Sequence, residues 1–234
     1  MNNPVFLSVL LIFLTVGVYM INKKIFSIYP RIWLLPVIIS PLVILLILYL
    51  ISMPLSVYNS AVQPLIWFLG PAVSAFAIPI YEERKIIFEN SFVLLVGVVS
   101  GIVVNIISTA LLCKVFPVSS IVESSMISHA ISAPFAIAFT PYIRGDENLA
   151  AVFSIMTAIF GMLIGEIVLL VAHIKDSVVR GVMYGTTSSV MGTYKAMEIG
   201  QKDGVMASMS MILSGVIMIL LGPIWSVVFK LIKE

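Results

Sequence analysis

The sequence predicts an all-α fold, a polytopic membrane helix bundle, and three observations carry that prediction. Hydrophobic residues make up 61% of the chain and charged ones only 10%, a balance far outside that of water-soluble domains. The apolar residues come in runs of about twenty, the length a helix needs to cross a hydrocarbon core of ~30 Å. The remaining polarity gathers at proline- and glycine-broken stretches instead of spreading along whole helix faces. A bilayer offers the backbone no water, so such breaks must be enclosed by protein or line a cavity. About seven crossings, with broken or re-entrant segments between them, account for the 234 residues as a single integral membrane domain, 1–234.

In chain order, Val5–Ile21 is an uncharged apolar run followed by Lys23 and Lys24. A signal peptide carries its positive charge before the apolar run, so this segment is expected as a first helix. A basic turn, Lys23–Arg31, with Trp33 as an interfacial aromatic, leads into a second span, Ile32–Ile51, with Pro36 and Pro41 as possible kinks. The uncharged Ser52–Gln63 is expected as a loop. Pro64–Tyr81 forms the third element, small-residue-rich and broken at Pro71, which suits close approach of neighbouring helices. After a solvated turn, Glu82–Lys85, the fourth span Ser91–Cys113 sets Gly97 and Gly101 one turn apart, with Asn105 a turn further on the same face. Asn105 is either a helix-to-helix bond or a substrate contact.

The stretch Ser124–Pro141 is polar and proline-broken inside this oily chain. Ser124, Ser125, Ser128, His129 and Ser132 fall within nine residues, and Pro134 removes a backbone donor beside them. The expectation is a break that presents helix ends to a solute, as broken helices do in secondary transporters. The alternative is one kinked helix whose serines bond back to their own backbone. A fifth span, Leu149–Ile174, holds Gly161 and Gly165 and then Glu166, an acid within a membrane helix and so a candidate partner for a proton or cation. A second polar break follows the turn Lys175–Arg180: Thr186, Thr187, Ser188 and Ser189 in a row, then Thr193 and Lys195. Gly185 and Gly192 flank the hydroxyls and are expected to supply the close or positive-φ backbone of an ion-binding turn. The last span runs from about Val205 to Phe229, its Met206, Met209, Met211 and Met218 read as packing.

The lone Cys113 leaves no intrachain disulfide and no cysteine metal cluster. No metalloprotease, serine-hydrolase or phosphate-loop motif occurs, so no enzyme is expected, no cofactor and no metal, and a net charge of +2 gives no reason to invoke nucleic acid. Two function classes stay open: a carrier for a small organic anion, and an oligomeric pore or regulator. The substrate-contact candidates are Ser125, Ser128, His129, Ser132, Thr186, Thr187, Ser188, Ser189, Thr193, Lys195 and Asn105. Glu166 and His129 are the proton or cation candidates, and Pro71, Pro134, Gly185 and Gly192 the structural breaks.

Several stretches, Leu69-Gly-Pro-Ala through Tyr81, Ala150-Ala-Val-Phe, and Arg180-Gly through Glu198, resemble the LrgB/CidB family of bacterial membrane proteins. The resemblance implies a multi-pass protein of the bacterial cell membrane, holin-like or antiholin-like, that modulates murein hydrolase activity and autolysis. It also implies a smaller LrgA/CidA-type membrane partner, further copies of the chain, and movement of small carboxylates of the pyruvate or glycolate kind, as in plastidal glycolate/glycerate relatives. The family usually reads Pro-Lys-Ser-x-Thr-Thr-Pro where Ser128–Pro134 stand, so His129 takes a lysine-like position. It often reads Ser-His-x-x-Gly-Thr-x-Arg where Ser188–Lys195 stand, so a histidine is lost and Lys195 replaces arginine.

If only Ser119–Ile143 turns back and every other element crosses, Lys175 and Arg180 lie on the cytoplasmic side with Lys23, Lys24, Arg31, Arg84, Lys85, Lys230 and Lys233. Lys114, Arg144, Lys195 and Lys202 then lie outside. An unperturbed histidine titrates near 6.5, so His129 beside a bound carboxylate is expected to couple a proton to the anion.

Overall fold

A computed structural model describes residues 4–29, 34–68, 71, 77–82 and 84–233. The expected aromatic anchor Trp33 and most of the Leu69–Phe76 motif lie outside the described residues, and Pro71 is described only as one isolated position, so the expected break there falls outside them too. The described residues form helices and no strands. Their contacts divide the chain into two compact units, 1–72 and 73–234.

The described residues of the first unit include three helices: α1 (Pro4–Ile28), α2 (Pro36–Leu50) and α3 (Leu55–Trp67). α1 runs straight through Lys23 and Lys24 and is long and apolar enough to cross a membrane. At 15 residues, α2 reaches ~22 Å, short of the hydrocarbon thickness. α3 replaces the expected Ser52–Gln63 loop. That segment is polar but holds no glycine and no charge, and one side of it packs inward: Tyr58 Oη meets Thr15 Oγ1 of α1 at 2.9 Å and Ala61 is buried, while Ser56, Asn59, Ser60 and Gln63 stay exposed. A buried bond from Asn22 Nδ2 to Ser40 Oγ, 3.2 Å, ties α1 to α2. Such bonds hold helices together where lipid supplies no hydrophobic drive.

The second unit begins with two short helices, α4 (Ala77–Glu82) and α5 (Arg84–Glu89), and a 25-residue span, α6 (Ser91–Val115). On α6 the buried positions Leu94, Val98, Ile102, Asn105 and Thr109 recur every three to four residues, one face of a helix. Its opposite face, with Val96, Val103, Val104, Ile107 and Leu111, is exposed and apolar, as a lipid-facing surface must be. Then come α7 (Ser120–Met126) and α8 (Ala133–Phe139), the latter extended by a 3₁₀ turn, Thr140–Ile143. A second 25-residue span, α9 (Glu147–Val171), is capped by the Asp146 carboxylate, which accepts from the Leu149 amide at 2.9 Å. α10 (Ser177–Ile199) and α11 (Gln201–Lys233) complete the unit. Among the described residues four helices, α1, α6, α9 and residues 201–224 of α11, are long and apolar enough to cross a membrane, and α2 and 133–143 are shorter apolar helices.

Glycine contacts fix the relative directions of these helices. Gly97 and Gly101 of α6 lie on Val182 and Thr186, so α6 runs parallel to the first half of α10. Gly161 and Gly165 of α9 lie on Ser188 and Tyr184, antiparallel to it. Gly181 and Gly185 lie against Met206, Ala207 and Ser210, which sets α11 parallel to the same half-helix.

The chain reverses at Ser189, whose φ of 45° and ψ of −127° interrupt α10. A side chain on Gly192 would strike the carbonyl of Tyr184, eight positions back, a contact that a straight helix excludes. Ile199 returns to line the same cavity as Arg180, and Arg180 Nε donates to Asp203 Oδ1 at 2.7 Å. Both ends of 177–199 therefore share one end of the unit. This differs from the expectation that the segment crosses, and it moves Lys195 and Lys202 to the same end as Lys175 and Arg180.

Residues 120–143 make the complementary hairpin. Ser128 Oγ sits 3.3 Å from Thr140 Oγ1, and the Asp146 amide donates to Ser125 Oγ at 2.8 Å, so this chain also doubles back. Gly215 and Gly222 of α11 receive Phe135 and Tyr142, which places the hairpin at the opposite end from 177–199. The second unit thus repeats one pattern twice in opposite senses: a 25-residue span, then a hairpin dipping in from the end that the span has reached.

Candidate functional site at the junction of two hairpin tips

The first tip is residues 127–132. Pro134 stands in the first turn of α8, where its missing amide costs nothing, and Ser132 before it is extended, with φ −66° and ψ 149°. The expected break at Pro134 is therefore present. Backbone carbonyls at the tip would be stranded at membrane depth without donors. Three separate elements supply them. Asn105 Nδ2 of α6 donates to the Ile127 carbonyl at 2.9 Å, Ser154 Oγ of α9 donates to that of Ile131, and Ser189 Oγ donates to that of Ala130 at 3.0 Å. The last bond joins the two tips, from opposite ends of the unit, across 59 residues of sequence.

At the second tip the break falls on Ser189 and not on the flanking glycines. No glycine among the described residues has a positive φ. Of the close or positive-φ backbone expected of them, Gly185 and Gly192 show the close approach, Gly185 to Ala207 and Ser210 and Gly192 to Tyr184 and Ser188.

A hydroxyl has one proton to give, and most of the expected contacts have already given theirs. Ser125 Oγ donates to Ile121 O at 2.7 Å, and Ser128 Oγ to Ser125 O at 3.2 Å. Thr186 donates to Val182 O at 2.8 Å, Thr187 to Met183 O at 2.7 Å and Thr193 to Ser189 O at 2.9 Å, while Ser188 lies 3.1 Å from Thr187 Oγ1. The back-bonding expected of a kinked helix thus coexists with a true reversal of the chain. Ser132 differs: it is 2% exposed and its hydroxyl has no hydrogen-bond partner among the described residues. Asn105 Oδ1 and His129 Nδ1 are likewise buried without a partner, as is Tyr184 Oη.

Lys195 and Glu166 come together away from the tips. Lys195 Nζ lies 3.3 Å from Glu166 Oε2 and 3.7 Å from Glu198 Oε2, and the Glu166 side chain is 59% exposed. Glu166 also lines a cavity of about 450 Å³ with His173, Lys175, Arg180, Tyr184 and Ile199, at the mouth of the second hairpin. The other cation of this hairpin, Arg180, is held by the buried Asp203. Sequence reasoning did not single out Ser154 or Thr140. The legible signal for Ser154 was its place in the four-residue series Ala150, Ser154, Ala158, Met162, the buried stripe of α9.

Apolar, lipid-facing spans around two opposed, inward-dipping hairpins define an integral membrane protein of the broken-helix kind. The chain belongs to the LrgB-like family, which matches residues 15–228. It is 33% identical over 218 residues to the uncharacterized protein YwbG of Bacillus subtilis, covering 93% of this chain and 97% of that one. To the holin-like protein CidB of Staphylococcus aureus it is 28% identical over 222 residues, 95% and 97% of the two chains. YxaC of Bacillus subtilis, also uncharacterized, is 28% identical over 218 residues, 93% and 95% of the two chains. No solved structure matches the chain significantly.

Proposed function

We propose that this protein is a carrier for a small organic anion, a pyruvate- or glycolate-like carboxylate, bound where the two hairpin tips meet. The observation that carries the reading is the Ser189–Ala130 bond, which brings two broken elements from opposite ends of the unit to one point. Opposed breaks of this kind let a solute be reached from either face in turn. Ser132 and His129 are the tip groups with unused hydrogen-bonding capacity, and they are the proposed contacts of the carboxylate. The hydroxyls of Thr186, Thr187 and Thr193 shape the second hairpin instead, and Lys195 with Glu166 braces its return limb.

The name holin-like, carried by the CidB relatives, favours a second reading: an oligomeric assembly in the bacterial cell membrane, with a smaller LrgA/CidA-like partner, that sets murein hydrolase activity and autolysis. Uptake of labelled pyruvate and glycolate into proteoliposomes separates the two. Saturable, competable uptake supports the carrier. Non-saturable release of unrelated solutes such as a trapped dye supports the pore.

A further inference from the structure

We infer that the junction of the tips also binds a monovalent metal cation of the sodium class, which enters with the anion. The cation site stands on its own atoms, while its pairing with a carboxylate rests on the carrier reading above.

Oxygen atoms gather around the first tip. The carbonyls of Ile127, Ala130 and Ile131 each take one side-chain donor, and a carbonyl oxygen has two lone pairs. Asn105 is 8% exposed, and because its Nδ2 donates to Ile127 O, its Oδ1 is a buried acceptor with no donor. A carboxylate, itself only an acceptor, cannot satisfy that oxygen, whereas a cation can. Ser132 Oγ, 2% exposed and unpartnered, adds a further oxygen at the same tip. The donor set is oxygen throughout and lacks a carboxylate, since residues 124–134 hold no acid. Hard neutral oxygens suit a monovalent ion, while calcium and magnesium sites draw on acidic side chains.

Given the carrier reading, charge supplies a second reason. A carboxylate moved to membrane depth needs a countercharge. The lysine and arginine of the second hairpin are committed to acids, Lys195 to Glu166 and Glu198, Arg180 to Asp203. A co-bound cation supplies the missing charge, and by linkage each ligand then strengthens the binding of the other.

The test uses the purified full-length protein in detergent with no organic anion present. Its thermal stability is titrated with sodium chloride against potassium and choline chloride at constant ionic strength. Saturable stabilisation by sodium over choline is expected. Ser132→Ala, whose hydroxyl makes no bond that folding would miss, should weaken the apparent sodium affinity by about tenfold or more. Asn105→Leu should abolish the effect, and Ser60→Ala in α3 should leave it intact. Identical curves in all three salts, or a wild-type sodium response in folded Ser132→Ala and Asn105→Leu, overturn the inference. Proteoliposome uptake then separates the two proposals. Carboxylate uptake that persists in choline with unchanged KM, and follows pH through His129, overturns the pairing of cation with anion and leaves the carrier. Sodium stabilisation without carboxylate uptake in any salt does the reverse.

Discussion

Replacing Gly185 by alanine tests the packing of the second hairpin most sharply. A methyl group there would be driven into the Ala207 carbonyl and the Ser210 hydroxyl of α11. The hydroxyl can rotate away, but the carbonyl is backbone and can yield only if the two helices part. Overpacking of this kind costs roughly 1–3 kcal/mol, and alanine's better helix propensity returns up to about 1 kcal/mol. At the midpoints of these two figures the net loss is about 1.5 kcal/mol, a fall in Tm of roughly 3–6 °C for a chain of this size. The assay is fluorescence-monitored thermal unfolding in mild detergent, with Gly17→Ala as control, since nothing lies within 4 Å of a side chain added at Gly17. Gly17→Ala should hold or raise the Tm. A Gly185→Ala protein as stable as wild type would refute the close helix contact on which the hairpin's placement depends.

Gly101→Leu and Gly161→Leu should each lower the yield of monodisperse protein by size-exclusion chromatography, because both glycines face the second hairpin, at Thr186 and Ser188. Asp203→Asn should cost about 1.5–3 kcal/mol, the worth of a hydrogen bond between charged groups, since Asp203 is buried against Arg180. Lys195→Gln should cost under about 1 kcal/mol because its acidic partners are half exposed, and the two Tm values measured side by side check that order. Ser132→Ala should keep the wild-type Tm in choline while raising KM for the carboxylate in proteoliposomes.

Much of this architecture was legible in residue order. The spans α6 and α9 lie within two or three residues of the runs Ser91–Cys113 and Leu149–Ile174, because uninterrupted apolar length is a strong signal. The break before Pro134 followed from proline's missing donor. Where sequence reasoning fell short, the deciding physics was tertiary. Ser52–Gln63 read as an uncharged loop, yet most of it is helical and Tyr58 and Thr15 bond to each other across two helices. Gly185 and Gly192 were read as the structural breaks, but the chain turns at Ser189, which bonds to Ala130 of the other hairpin. No local pattern reveals that partner. Glu166 was legible as an unusual acid, and its pairing with Lys195 depends on the chain reversing between them.

The reversal of 177–199 is the claim on which the account most depends, and it can be read by side-specific labelling. In a Cys113→Ser background, Lys175→Cys and Lys202→Cys are exposed in turn to a membrane-impermeant maleimide on right-side-out and inverted vesicles, with Lys114→Cys as the reference for the opposite face. Positions 175 and 202 should label from the same face, as the 2.7 Å Arg180–Asp203 pair requires, and position 114 from the other. Labelling of 175 and 202 from opposite faces would make 177–199 a crossing helix and contradict the meeting of the tips.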